Sequence, residues 1–369
     1  LNTRVSATPV VGFVFPSPSA ATAPAKIQPH IIIDYIKFCF IRSGAFVIIE
    51  PLSSIGIVMR HLIKQEGPLM MNSLFAAAVF AATLAGAQQA DKPAKPAKPP
   101  AAPKKEFVPQ PVKAEDRAKI AELIDGIKLV KPAAPKKILV FWRCEGFAHG
   151  KSIEYGNAMY EIATEKGFFK ADLSNSYADL SAENLAKYDI LVLNNTTGLK
   201  YKEHDLEKVL TEFVRGGKGY VVLHGGADNF KGSDILCSMT GALFGGHPWT
   251  SNGTWQFKVD DPNSPLTAPF GKEPFKMSDE IYQSVKPFCD RSKMHVLVSL
   301  DFSDPATAGA NAEKQNNKET NDYPVSWTRT EGGGRIFYTS FAHDERAFLE
   351  PKRLAHILLA TQWAAGEIK

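Results

Sequence analysis

Tyr220-Val221-Val222-Leu223-His224-Gly225-Gly226-Ala227-Asp228 reads as a buried strand that delivers a histidine into a glycine turn. An unbroken apolar run suits a parallel strand covered on both faces. In an α/β fold the side chain at such a turn projects from the carboxyl edge of the sheet, where ligands bind. A serine or cysteine there would point to acyl transfer. A histidine points instead to metal binding or proton transfer. Asp228 follows four residues later, and a second glycine-histidine turn, Gly245-Gly246-His247-Pro248-Trp249, comes shortly after.

The flanking sequence repeats the strand-helix alternation. Lys137 to Trp142 and Asp189 to Asn194 are further apolar runs, and Gly219 to His224 is the third strand. Ser152 to Lys166 and Glu203 to Arg215 read as helices, ending at Gly167 and at Gly216-Gly217, where glycine serves as a C-cap. The alternation predicts right-handed βαβ units, and so an α/β domain with a doubly wound, mostly parallel sheet over residues 136–369. About 230 residues suffice for one such domain. Thr254 to Val259, Met294 to Leu300, Pro324 to Arg329 and Arg335 to Phe341 read as later strands, and Pro351 to Ala365 as a closing helix. Residues 302–322 read as a surface loop, and no internal repeat is present.

Composition narrows the function classes. Hydrophobic residues make up 44% and charged residues 22%, a globular balance. The net charge of +4 is local, because residues 88–113 hold six lysines against Asp91 and Glu106. The rest is near neutral, which argues against a nucleic-acid partner. Cys39, Cys144, Cys237 and Cys289 form no CxxC pair, so a disulfide framework is not expected. Cys237 reads as a buried residue.

The amino-terminal third reads as processing signal. Residues 74–87 are an apolar run ending in Ala85-Gly86-Ala87, a small-x-small cleavage pattern, with Arg60 and Lys64 upstream in a segment starting at Met59. The run is too short for a stable membrane span. Residues 59–87 are therefore expected to be a signal peptide cleaved near Ala87, placing the protein in the periplasm or outside the cell. Residues 1–58 begin with leucine, show no clean period and are expected to be a non-native extension or disordered. Residues 88–113 form a Pro/Ala/Lys-rich linker, extended and solvated. Within the connector 114–135, Ala114 to Lys128 forms an amphipathic helix with Ile120, Leu123, Ile124 and Ile127 on one stripe.

Polar residues punctuate the strand ends. His149 lies in the loop after the first strand, with Ser152 as its helix N-cap; His224 and Asp228 follow the third strand; His247 follows a Gly-Gly pair; Asp279-Glu280-Ile281-Tyr282 sets two acids before an aromatic; His343 follows the strand that begins at Arg335. Imidazoles with carboxylates suit a divalent metal, and equally suit proton abstraction beside a carbonyl. Each histidine alone reads as a hydrogen-bonded structural group; convergence of the four is the sharper expectation. His204, His295 and His356 fall within the expected helices and strands and read as structural. Trp249, Trp255 and Tyr282 either stack on a sugar face or fill the core.

In this order, Gly146-Phe147-Ala148-His149-Gly150-Lys151-Ser152-Ile153, His224-Gly225-Gly226-Ala227-Asp228, Gly245 to Trp249, Asp279 to Tyr282 and Gly334 to His343 resemble the ThuA-like (trehalose utilisation) family, over roughly residues 136–366. The resemblance implies a flavodoxin-like fold of the class I glutamine amidotransferase type. In those enzymes a cysteine occupies the elbow that here holds His224, so glutaminase activity is not implied. It further implies disaccharide or keto-sugar metabolism.

The expectation is an enzyme acting on a sugar or keto-sugar by isomerisation, elimination or hydrolysis. His224, Glu280 and Asp228 are the candidate catalytic residues. His149, Trp249, Tyr282 and Ser152 are candidates for substrate binding, and His149, His224, His247 and His343 for a divalent metal, zinc or manganese. The expected partner is a small carbohydrate. Two other readings stand beside it: a non-catalytic sugar-binding module, and a scaffold domain with no convergent pocket.

Overall fold

The computed structural model describes residues 106–369. The expected extension 1–58, the signal peptide 59–87 and most of the linker 88–113 lie outside the described residues.

Helix α1 spans Ala114–Asp125, and strand β1, Lys136–Phe141, opens the sheet. Then follow α2 (Gly150–Glu165), β2 (Phe169–Ser174), α3 (Ala182–Leu185), β3 (Ile190–Asn194), α4 (Leu206–Arg215), β4 (Gly219–Leu223) and α5 (Asp234–Thr240). The second half contains β5 (Trp255–Val259), β6 (Phe275–Met277), β7 (His295–Leu300), α6 (Pro305–Gly309), β8 (Pro324–Glu331), β9 (Gly334–Thr339), α7 (Arg346–Leu349) and α8 (Pro351–Ala364).

The nine strands form one mixed sheet in the order β2-β1-β3-β4-β9-β8-β7-β5-β6. The first five are mutually parallel and pair as β1 with β2, β1 with β3, β3 with β4 and β4 with β9. The remaining four are joined antiparallel, beginning at the β8–β9 hairpin. The α/β class and the parallel βαβ half agree with the expectation. The sheet is more mixed than expected, because the less regular second half adds meandering strands to one edge.

Alternation along the parallel strands builds two cores. Ile138, Val140, Ile190, Val192, Val221 and Leu223 face one layer with Met159 and Ile162 of α2 and Leu354, Ile357 and Leu358 of α8. Leu139, Phe141, Leu191, Leu193, Tyr220 and Val222 face the other, with Leu210 and Phe213 of α4 and Leu236 of α5. Successive side chains point to opposite faces, so an all-apolar strand needs cover on both sides. Gly219 is required for this closeness: a Cβ there would lie 2.7 Å from the Ala364 carbonyl at the end of α8.

Helix α1 covers the outer side of α2. Ile120 and Ile124 are fully buried, Leu123 and Ile127 pack at the margin, and Arg117 Nη1 donates to Glu161 at 2.6 Å. Upstream, residues 106–113 run extended but not free of the domain. Phe107 meets Trp142 edge-on at 6.4 Å, and the Gln110 amide donates to Glu154 at 2.8 Å. The end of the linker is therefore docked rather than solvated.

Differences from the expected elements have local causes. Helix α2 begins at Gly150, so Ser152 lies inside it and His149 takes the N-cap position; Ser152 is not the cap. Helix α4 begins at Leu206, because Asp205 adopts a left-handed φ of 52°. This leaves His204 outside the helix, stacked on Tyr177 at 3.8 Å. Strand β2 escapes a pattern search because it is a half-exposed edge strand. The segment 302–322 holds α6 and a turn of 3-10 helix instead of open loop. Among the described residues no helix is long and apolar enough to cross a membrane.

Candidate metal and active site

Register carries the site. Phe141 pairs with Leu193, Leu193 with Val222 and Val222 with Tyr338, so the carboxyl ends of β1, β3, β4 and β9 lie level. The loops after them open on the same edge, and the strand order reverses direction between β1 and β3, where such sheets bind ligands.

After β1, the Glu145 and Gly146 amides donate to the Thr197 carbonyl at 2.8 and 3.2 Å, which returns the chain to His149 at the head of α2. After β4, His224 is held at φ 37°, a conformation that L side chains rarely adopt, within a turn of 3-10 helix. Such strain persists only where neighbours fix it. Here His224 Nδ1 lies 2.8 Å from the Ser340 carbonyl, and the Gly225 amide donates to Asn195 Oδ1 at 3.2 Å. Both glycines leave room that a side chain would crowd: a Cβ on Gly226 would clash with Val222 at 2.4 Å, and one on Gly225 would press on His149 Nδ1 at 3.0 Å. After β9, the chain turns to His343. Glu280 comes from the loop between β6 and β7, in the antiparallel half.

His149, His224, His343 and Glu280 converge, each offering a donor atom within 4.8 Å of the others. His343 Nδ1 lies 3.3 Å from His224 Nε2 and 3.3 Å from Glu280 Oε1, and His224 Nε2 lies 3.6 Å from the same oxygen. Tetrahedral bonds of about 2.0–2.1 Å set ligand atoms about 3.3–3.4 Å apart, so this triangle has the dimensions of a zinc face. Two further observations fit a metal. His224 spends Nδ1 on a backbone carbonyl, which leaves Nε2 as the lone-pair donor, as metal-bound histidines do. The buried Nδ1 of His149 has no hydrogen-bond partner, while Nε2 lies 3.2 Å from the Tyr282 hydroxyl.

Burial and neighbouring charges set the protonation of each group. Burial, and then repulsion from His224 and His343, push His149 down to about 2, so its imidazole is neutral. Burial raises the Glu280 carboxyl, but the neighbouring imidazoles of His224 and His343 outweigh it and hold the group well below the usual carboxylate range. Burial lowers His343, and the Glu280 hydrogen bond and charge more than reverse that, leaving it above the ordinary histidine value. Burial and the Glu280 charge push the Tyr282 phenol up, so it stays protonated.

The other expected residues divide. His247 is not in the four-membered cluster; it stands at the rim, about half exposed, with Nδ1 3.3 Å from Glu280 Oε2. Asp228 lies outside the cluster, half-buried, and its carboxylate makes no ion pair among the described residues. Tyr282 is buried behind the histidines, its ring 4.0 Å from His224. Two expectations are corrected. Trp249 is fully buried and donates to the Thr307 carbonyl, so it fills the core and offers no face to a sugar. Ser152 is also fully buried, bonded to the Ala342 carbonyl and accepting from Asn195 Nδ2 at 2.7 Å, so it supports the site from beneath. Cys237 is buried as expected.

Three residues escaped the sequence reading. Phe147 is 68% exposed and lies edge-on to His149 at 4.9 Å, an open aromatic at the mouth of the site. Asn195 bridges Ser152 and the Gly225 amide; a polar pair directly after an apolar strand was its available signal. Arg353, on α8, is buried and donates from Nη1 to Asp279 Oδ2 at 3.0 Å and to the Ser278 carbonyl, and from Nη2 to the Arg346 carbonyl. Its neighbour Asp279 accepts the Glu280 amide at 2.8 Å. Nothing in the helical pattern distinguishes Arg353 from a surface charge.

A family model described as ThuA, trehalose utilisation, matches residues 137–364. Among curated proteins none matches. A solved ThuA-like protein from Bacteroides uniformis ATCC 8492 is similar at 20% identity with a TM-score of 0.54, covering 66% of this chain and 96% of that one. A second, from Parabacteroides merdae ATCC 43184, is similar at 16% identity with a TM-score of 0.47, covering 64% and 92%.

Proposed function

The chain belongs to the ThuA (trehalose utilisation) family, and from that membership we propose that it is a metal-assisted enzyme of carbohydrate metabolism, acting on a sugar or keto-sugar by isomerisation or elimination. The observation that carries the proposal is the convergence of three imidazoles and one carboxylate at the carboxyl edge of the sheet. The order β2-β1-β3-β4-β9 of the parallel strands supports the flavodoxin-like reading of the fold, whose ligand crevice lies at this edge.

His149, His224, His343 and Glu280 would hold the ion, zinc or manganese. When bound, such an ion polarises a carbonyl or a hydroxyl pair. The remaining chemistry belongs to the side chains. Glu280, held below the usual carboxylate range, is a weak proton acceptor and a good anionic donor. His247 is better placed to move a proton: Glu280 Oε2 orients Nδ1, and Nε2 has no partner among the described residues. In elimination from a keto-glycoside, His247 Nε2 accepts the proton from the carbon beside the carbonyl. The carbon–oxygen bond one carbon further breaks, its electron pair leaves with the alkoxide, and that oxygen then takes a proton. Isomerisation returns the proton to the neighbouring carbon instead. Phe147 offers the apolar face on which a sugar ring stacks, the role once expected of Trp249. Export is part of the same reading, supported by the apolar run 74–87 with its Ala85-Gly86-Ala87 end; mass spectrometry of the mature amino terminus tests it.

Metal analysis of the purified protein, joined to a turnover screen of glycosides and their 3-keto derivatives, tests the function. Stoichiometric zinc or manganese, with turnover lost in His224→Ala and Glu280→Ala, is the expected result. Unchanged turnover in both variants overturns it.

A further inference from the structure

His247 stands between the histidine cluster and open space. Its Nδ1 lies 3.3 Å from Glu280 Oε2, and the same residue lines a cavity of about 370 Å³. Thr250, Gln283, Asn311 and Lys314 close that cavity against the Gly245–Pro248 turn. The volume is at the lower end of the range for small-molecule sites, about 300–1,000 Å³.

Hydrogen bonds brace the walls. Gln283 Nε2 donates to the Gly245 carbonyl at 3.0 Å and to the Lys314 carbonyl at 2.9 Å, which ties the glycine turn to the segment carrying Lys314. Asn311 Nδ2 donates to the Pro248 carbonyl at 2.6 Å. The Lys314 amide donates to the Asn311 carbonyl at 2.8 Å, so the backbone of Lys314 is held through both its amide and its carbonyl while its side chain is exposed. Walls held in this way lose little conformational freedom when a ligand arrives.

The charge around this space is one-sided. The Lys314 ammonium makes no ion pair among the described residues, and Nζ reaches only Asn311 Oδ1, at 3.5 Å. No acidic side chain lines the cavity; Glu313, beside Lys314 in sequence, and Glu280, beyond His247, are both outside the lining. Among the described residues the Thr250 hydroxyl has no partner, and the Gly246 and His247 amides donate to no carbonyl. An ammonium with three N–H donors and no counter-charge, set in a concavity with further free donors, favours an anion. A single positive charge matches a single carboxylate. An arginine fork, the usual planar clamp for phosphate, is absent from the lining.

Resting on the function proposed above, we infer that this cavity is a carboxylate subsite and that the substrate is an acidic sugar, a uronate or its glycoside. Lys314 supplies the charge, and the Thr250 hydroxyl and the amides of the glycine turn supply hydrogen bonds. The carboxylate is a handle that orients the ring toward the histidine cluster and takes no part in the bonds that break. Because Lys314 and Thr250 hold the anion, His247 Nε2 keeps its lone pair for the proton.

Calorimetry on the full chain with methyl α-glucuronide and methyl α-glucoside, run with and without zinc, tests this, because the two probes differ only in the carboxylate. The uronide is expected to bind roughly tenfold tighter or more, the scale of one hydrogen bond to a charged group. That preference should hold in both metal states. Lys314→Gln should bring the ratio of the two affinities close to one, Lys314→Arg should keep most of it, and Thr250→Val should lower it severalfold. Equal binding of the two probes, or a ratio unmoved by Lys314→Gln, overturns the subsite and leaves the metal site standing. A preference seen only with zinc puts the carboxylate on the metal and likewise overturns the subsite. Tighter binding of methyl α-glucoside 6-phosphate than of the uronide overturns the choice of a carboxylate. Failure of every probe to bind overturns the subsite, while the metal analysis and turnover screen judge the function separately.

Discussion

At the scale of single residues, the decisive feature is a set of donors already at metal-ligand spacing. Removing one donor should be severe: His224→Ala or Glu280→Ala is expected to weaken zinc binding by about 100-fold or more, since even outer-shell changes weaken it about 10–100-fold. Competition with a chelator reads that loss directly. The pH dependence follows from two opposed shifts. His343 is raised above its ordinary 6.5, so its contribution to the metal-free fold is complete below 6.5 and is lost as pH rises through the folded value. Glu280 is lowered from 4.5, so its contribution is present above 4.5 and is lost only as pH falls through a much lower folded value. Above 6.5, therefore, the proton that His343 retains would compete with a bound metal. Zinc affinity should rise by about one log unit per pH unit until His343 has titrated, then level off. In a His343→Gln variant that slope should largely vanish; a slope unaffected by the substitution would show that another group carries the proton. His149, neutral down to about 2, takes no part in it.

At the scale of elements, α8 governs two loops from beneath. Arg353 holds the Ser278-Asp279 backbone and carboxylate on one side and the Arg346 carbonyl on the other. Those are the loops that present Glu280 and His343, so one guanidinium sets their separation. Asp279 and Arg353 are both buried, and removing either partner strands a charge. Arg353→Met or Asp279→Asn is expected to destabilise the fold by about 3–5 kcal/mol, read from denaturant midpoints, whereas the double replacement Asp279→Asn with Arg353→Met should recover much of that. Zinc affinity should stay reduced in the double variant, because stability returns without the loop spacing. The sequence displayed the elbow strand, the glycines around His224 and the histidines at strand ends, because these are local patterns of apolar period and turn chemistry. It did not display the Asp279–Arg353 pair, whose partners lie 74 positions apart. The burial of Trp249 was hidden for the same reason: only the approach of Thr307 and Tyr323 decides whether that ring is covered.

At the scale of the whole molecule, the inner strands of both halves were legible and the two edge strands, β2 and β6, were not. Continuous apolar runs announce strands buried on both faces, but β2 and β6 are a half-exposed edge strand and a three-residue strand. Helix α1 was legible from its stripe, and it belongs to the fold: Ile124→Ala should cost about 2–5 kcal/mol, measured by thermal or denaturant unfolding. A near-neutral result there would make α1 a passenger. The seam between the halves has a consequence for biogenesis. His149, His224 and His343 follow β1, β4 and β9, while Glu280 comes from the loop after β6, so the donors span positions 149 to 343 and no contiguous half of the chain holds all four. A chain emerging from the ribosome cannot present the complete donor set until its last strand lies beside β4. On the function proposed above, ion capture would mark finished assembly, because a truncated or misregistered chain would lack the complete donor set.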